Sequence, residues 1–454
     1  MTRSIDREIL RLALPAFLAL VAEPLFLLAD AAIVGRLGTV ELAALGIAGV
    51  VLQTVVGLCV FLAYGTTAGV ARRLGAGDRR SALALGIDGL WLAVLIGAAA
   101  TLVTVGLAGP MVRALDPGPD VVGPATTYLR IAGLGVSPLL LMLAATGVLR
   151  GLQDTRTPLI VAAAGNVLNV VLNLLLVYGI GAFAGLGLPG SALGSLLAQV
   201  AMAAALVAVV VRGARREGAA LRPDVVGVLA AGRTGVPLVV RTLTLRAALL
   251  ATTYAVASGS AADGSRAVDL ATHQLAMTLW TFLAFVLDAI AIAAQALTGR
   301  HLGAGDVTAT RAVTRRMVRW GWGAGLVTGV LLAAGSPLLG PLFTGDERVH
   351  DLLVPVLLVA ALAQPVAGVV FVLDGVLIGA GDGRYLALGG LVTLAVHAPL
   401  VLLVASLGGG VVGVWMVFAG AFMGARWLVL VHRERGEAWL VVGSDPPTRS
   451  SQST

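Results

Sequence analysis

The chain has 454 residues, of which 58% are hydrophobic and 12% charged, with a mean hydropathy of +0.96. Soluble globular domains carry about a quarter charged residues, so this composition excludes a soluble globular protein, and the apolar excess excludes a disordered chain. The net charge of +7 rests on arginine without any lysine; in a soluble chain it would suggest nucleic acid, but its placement reads instead as membrane topology.

The charged start, Met1 to Arg11, lacks a small-residue cleavage site, so the apolar stretch after it reads as a retained span. Runs of about 20 apolar residues are candidate spanning helices. The first, 10–34, carries Glu23 and Asp30 seven residues apart, with Pro15 and Pro24 in the same helix. Spans at 43–70, 82–109 and 124–149 follow, with the lone Cys59 in an apolar run and Asp88 near the start of its span. The fifth, 158–181, holds Asn166, Asn169 and Asn173 on one face, and the sixth covers 190–211. An arginine-rich linker, 212–233, leads to spans at 234–257 (with Arg241 and Arg246), 270–298 (with Asp288), 317–335, 352–378 (with Asp374 near its end), 386–407 and 411–431. Residues 436–454 are predicted to be a disordered tail.

Twelve spans place both termini on one side. With Met1 inside, segments facing the cytoplasm hold 24 arginines against 5 on the other side, which puts both termini in the cytoplasm. Leu74-Gly75-Ala76-Gly77-Asp78 recurs as Leu302-Gly303-Ala304-Gly305-Asp306, and Gly147-Val148-Leu149 as Gly375-Val376-Leu377, both at an offset of 228 residues. Two motifs sharing one offset indicate a duplication. An even number of spans per half makes the halves parallel repeats, the architecture of transporters that alternate access to a central site. The expected organisation is an N-terminal six-helix lobe, 1–211, the linker 212–233, and a C-terminal six-helix lobe, 234–435.

A charge at mid-membrane costs about 2.5–3.5 kcal/mol on insertion scales and marks function by default. Glu23 and Asp30 share a helix face beside proline kinks, a pattern that suits a protonation switch; alternatively, one of them pairs with Arg241 for packing alone. The asparagine stripe either bonds across helices or, facing a carboxylate, forms a relay or cation cluster. His273 and His397 read as helix-end or packing residues. Among the interior charges, five acids stand against two arginines, Arg241 and Arg246. No GxxxxGK[ST], HExxH or GxSxG motif is present, so neither ATP-driven transport nor a hydrolase centre is encoded, and no cofactor is expected.

Glu23-Pro24-Leu25-Phe26 through Asp30 to Gly38, the paired LGAGD segments, Gly165-Asn166-Val167-Leu168-Asn169 and Leu373-Asp374-Gly375 resemble the MATE (multidrug and toxic compound extrusion) family, nearest its DNA-damage-inducible-protein-F branch. The resemblance implies an all-α integral membrane protein of two parallel six-helix lobes in a V, exchanging small organic cations or amphipathic compounds for H⁺ or Na⁺. It places the key acid at Asp30, the bending proline at Pro15, polar partners at Asn169 and Asn173, a hydroxyl at Ser195, and C-terminal-lobe charges at Arg241, Asp288 and Asp374. Asn173 departs from the family's frequent aspartate, which favours H⁺ over Na⁺. The expected protein is a monomeric antiporter of the cell membrane, with a small-molecule substrate and no nucleic-acid partner. The alternative is a flippase for a lipid-linked oligosaccharide, against which the acidic interior argues, or an exporter of a specific metabolite on the same superfamily fold.

Overall fold

The computed structural model describes residues 2–181, 183–259 and 265–444. Among them, eleven helices are long and apolar enough to cross a membrane, and twelve if one bent pair counts as a single span. The chain is thus a multi-pass, all-α membrane protein. The helices are α1 (Thr2–Gly35), α2 (Thr39–Leu58), α3 (Phe61–Gly75), α4 (Arg79–Gly106), α5 (Ala108–Arg113), α6 (Pro119–Gly133), α7 (Val136–Gly151), α8 (Arg156–Tyr178) and α9 (Leu188–Arg216). They continue as α10 (Val225–Gly259), α11 (Ser265–Gly303), α12 (Val307–Phe343), α13 (Glu347–Gly379), α14 (Gly383–Ser406), α15 (Gly410–Val417) and α16 (Met423–Arg435). The fourth expected span is the bent pair α6–α7, turning by 44° at Leu134 and Gly135.

Packing divides the chain into two units, one of Leu14–Gly235 and one combining the residues up to Ala13 with those from Val236 onward. The expected boundary at the N-terminus is therefore corrected. Asp6 accepts two hydrogen bonds from Arg316, each of 2.6 Å, and one from the Trp320 indole at 2.8 Å, while Glu8 accepts from Arg300 at 2.8 Å. These pairs tie the first turns of α1 to α11 and α12, and Ile9 and Leu12 bury beside them.

The expected linker is also shorter. Helix α9 runs on to Arg216 and α10 starts at Val225. The intervening backbone is satisfied by α4: the Trp91 indole donates to Leu221 O (3.1 Å) and Asp88 accepts from the Asp224 N–H (3.0 Å). The expected disordered tail begins as packed chain. Trp439 is buried and donates to Glu434 O (3.0 Å), and the Gly443 N–H reaches Leu302 O (3.1 Å). Residues 445–454 lie outside the described residues.

The duplication persists in local geometry. Asp78 and Asp306 each cap the following helix, accepting from the backbone N–H of Ser81 and of Ala309 at 2.8 Å, the pattern that satisfies otherwise orphaned helix-start donors. Gly151 lies against the backbone of Thr67 in α3, and Gly379 against that of Gln295 in α11. A Cβ at either position would collide with main chain, so glycine is what allows these helix pairs to approach. Within the second unit α13 is the central element, and Gly321, Gly325 and Gly329 of α12 meet its backbone directly.

Candidate functional site

In the unit that starts at Leu14, α1, α6, α8 and α9 bring one cluster of polar side chains together. Asp30 of α1 is 3% exposed. Its Oδ1 accepts from the Asn173 amide and from the Ser191 hydroxyl, both at 2.7 Å, and its Oδ2 accepts from the Tyr128 hydroxyl at 3.4 Å. Asn173 also donates to Asn169 Oδ1 (3.3 Å), and the Asn169 amide donates to Ser195 Oγ (3.0 Å). Asn169, Asn173 and Ser191 are fully buried. Among the described residues no arginine pairs with Asp30, so the carboxylate is met by neutral donors alone.

The local sequence explains the assembly. Asn169 and Asn173 lie one turn apart on α8, as do Ser191 and Ser195 on α9, so the two helices present matching polar edges. Gly194, between the serines, leaves room for the Asn173 amide: a Cβ there would overlap its oxygen. That oxygen is buried without a hydrogen-bond partner among the described residues, an open acceptor beside the carboxylate.

The expected residues separate into groups. Asp30, Asn169, Asn173 and Ser195 come together. Asn166, on the same stripe, does not join them; it donates to the Ala22 carbonyl of α1 at 2.8 Å. Glu23 is exposed and has no hydrogen-bond partner among the described residues. Pro15 and Pro24 both lie within the continuous helix α1, Pro15 two residues beyond the boundary between the units. Tyr128 and Ser191 are site residues that sequence reasoning missed. Ser191 carries a usable signal, one turn before Ser195, whereas Tyr128 lies 98 residues from Asp30 and has none.

The second unit holds a different arrangement. Arg241 donates through Nε to Asp374 Oδ1 (3.1 Å) and through Nη2 to Oδ2, where Arg426 Nη2 also donates at 3.2 Å. The alternative in which Arg241 pairs with a first-span carboxylate is thus corrected, because Asp374 takes it. Asp288 adds electrostatic attraction to Arg426, and the Phe371 and Phe422 rings lie 5.7 and 5.6 Å from the guanidinium. Arg426, near the end of the expected span 411–431, joins Arg241 and Arg246 among the interior charges. The cavity beside this triad measures about 20 Å³, room for about one water molecule. His273 and His397 lie inside helices: His397 Nε2 meets the Thr252 hydroxyl at 2.8 Å, and the Trp415 indole donates to His273 Nδ1 at 3.2 Å. They belong to an aromatic cluster with Trp280, Phe418 and Phe422.

The family model MatE matches residues 15–175 and 245–403, more than half of the chain. The chain belongs to the MatE family. Among MatE-family relatives, Protein DETOXIFICATION 44, chloroplastic, of Arabidopsis thaliana is 31% identical over 90% of this chain and 79% of its own length. DNA damage-inducible protein F of Escherichia coli is 29% identical over 83% and 81%. The structure of the Vibrio cholerae MATE transporter VcmN in the bent form has the same fold, with a TM-score of 0.85 at 21% identity, covering 97% of this chain and 99% of that one. MatE-family members are transporters, and this chain is a membrane transporter rather than an enzyme.

Proposed function

We propose that this MatE-family protein is a secondary antiporter that exports small amphipathic or cationic organic compounds in exchange for protons, with Asp30 as the coupling carboxylate. The observation that carries this reading is a buried carboxylate met, among the described residues, only by neutral donors. An intramembrane acid without a counter-ion changes its charge when it takes a proton, and its neighbours then lose a charge-assisted partner. Tyr128, Ser191 and Asn173 all donate to Asp30, whereas a sodium ion needs several oxygens turned towards it as acceptors. Relatives named as probable multidrug resistance proteins, such as that of Thermotoga maritima at 25% identity, support the cargo class. The arginine asymmetry supports a cell-membrane protein with cytoplasmic termini.

The test uses proteoliposomes with an imposed pH gradient, no sodium and a fluorescent organic cation. Wild type moves the cation with the gradient. Movement that appears only when a sodium gradient replaces the proton gradient overturns proton coupling. Silence under both gradients overturns the cargo class.

A further inference from the structure

Among the described residues, helix α8 donates to α1 through three side chains, and only one of them reaches Asp30. The Asn166 amide donates to the Ala22 carbonyl at 2.8 Å, the Asn173 amide to Asp30 at 2.7 Å, and the Tyr178 hydroxyl to the Ile33 carbonyl at 2.6 Å. The donors climb α8 in the same direction as their acceptors climb α1. Twelve residues from Asn166 to Tyr178 match eleven from Ala22 to Ile33, about 17 Å along each helix at ~1.5 Å per residue. Two helices running side by side in register produce this match.

We propose that Asn166 and Tyr178 are positioning residues that fasten α1 to α8 on either side of Asp30 and thereby hold the carboxylate at its donors. The inference rests on the reading of Asp30 as the coupling group. Both outer acceptors have lone pairs to offer. Ile33 lies in the last turn, where carbonyls lack helical partners, and the Leu37 N–H that would reach it goes to Val34 O at 2.9 Å. The Ala22 carbonyl has a second lone pair beyond its helical bond.

The chemistry of the three ties differs. Amide and phenol donors to backbone carbonyls keep their bonds when the central carboxylate takes a proton. The bond from Asn173 to Asp30 changes, because a charge-assisted hydrogen bond is roughly twice as strong as a neutral one. The stretch 22–33 therefore stays with α8 through the proton cycle, and Pro24 lies inside that fastened stretch. The groups facing Asp30 are Tyr128 from α6, Asn169 and Asn173 from α8, and Ser191 and Ser195 from α9; Tyr128 is the titratable group among them. No charged side chain in that set competes with the outer ties in setting proton affinity.

Two cross-helix hydrogen bonds that served packing alone would not move a pH profile, and this separates the two roles. Tyr178→Phe, Asn166→Ala and the double variant are reconstituted as full-length protein beside wild type and Asp30→Asn. Ethidium movement is measured over a series of pH values without sodium. The two single variants are expected to keep their maximal rate within about threefold while the pH of half-maximal transport moves by at least about half a unit, with a larger displacement in the double variant. An unchanged midpoint in all three, with Asp30→Asn inactive, overturns the positioning role and leaves the coupling role of Asp30 standing. An Asp30→Asn protein with wild-type transport and pH dependence overturns the coupling role first and the positioning role with it. Tyr178→Phe is nearly isosteric, so a lowered rate at an unchanged midpoint in that variant counts as packing and against the proposal.

Discussion

Each unit of the transporter buries an aspartate between helices, and the two are held in opposite ways. Asp30 is surrounded by the amide of Asn173 and the hydroxyls of Ser191 and Tyr128, with no cation among its partners in the described residues. Asp374 is clasped between Arg241 and Arg426 in a site about a tenth exposed. A buried carboxylate among neutral donors is free to exchange a proton and alters its surroundings when it does. A carboxylate between two guanidiniums is held as an ion pair, since its neutralisation would remove its charge-assisted bonds to two buried cations. The two acids are not repeat counterparts, since at the 228-residue offset Asp30 corresponds to Ser258 and Asp374 to Thr146. The repeated turns at Asp78 and Asp306 retain their common geometry.

Four variants sharpen or break this contrast. The largest effect is expected from Asp30→Asn, which keeps the hydrogen-bonding shape but removes the titrating group: gradient-driven transport in proteoliposomes falls to that of empty vesicles while the amount of folded protein is unchanged. Asp374→Ala is expected to act on folding rather than on coupling. Breaking a buried pair costs about 3–5 kcal/mol, so thermal melting in detergent drops sharply, and the molecules that remain folded keep the wild-type pH profile. A wild-type melting temperature for that variant would contradict the structural role. Gly194→Ala forces a methyl group against the Asn173 oxygen. Overpacking of this kind costs about 1–3 kcal/mol, and a lowered transport rate is expected. The control is Leu197→Ala on the same helix, where the side chain is exposed; an equal loss of rate in both variants would contradict a specific role for the glycine.

The smallest effect concerns a turn outside the spans. Hydrogen bonds from Ser81 hold the Asp78 carboxyl below its ordinary value of 3.8. A folded-state value below the unfolded one means that the stabilisation is complete above about pH 3.8 and is lost as the pH falls through the folded value. The difference in melting temperature between wild type and Asp78→Ala is therefore expected to be small at neutral pH and to vanish in strong acid. A difference that grows on acidification would contradict the cap.

Much of the fold was legible because it is written in short-range signals. Apolar run length marked the spans, and the fixed 228-residue offset marked the duplication. The site was partly legible for the same reason. Asn169 and Asn173 share a face within one helix, and Asp30 stands out as a charge in an apolar run. What remained hidden depends on contacts between distant segments. Tyr128 and Ser191 reach Asp30 across 98 and 161 residues, and although the one-turn spacing of Ser191 and Ser195 marks a polar edge, nothing local to either segment names Asp30 as its partner. Arg426 sits near the end of an apolar run, where an arginine reads as an interfacial charge, until Asp374 is seen to meet it. The first turns of α1 join the second unit through Asp6 and Glu8, charges that look like an ordinary hydrophilic terminus. Asn166 shows the limit of helix periodicity: it shares the stripe of Asn169 and Asn173 yet bonds to the α1 backbone.

The central claim is that Asp30 carries the coupling proton, and substrate-induced proton release from purified protein in weakly buffered detergent tests it most directly. Wild type is expected to release protons when the organic cation is added at a pH where Asp30 is protonated, and Asp30→Asn is expected to release none while still binding the cation. Equal proton release from the two proteins would contradict the account.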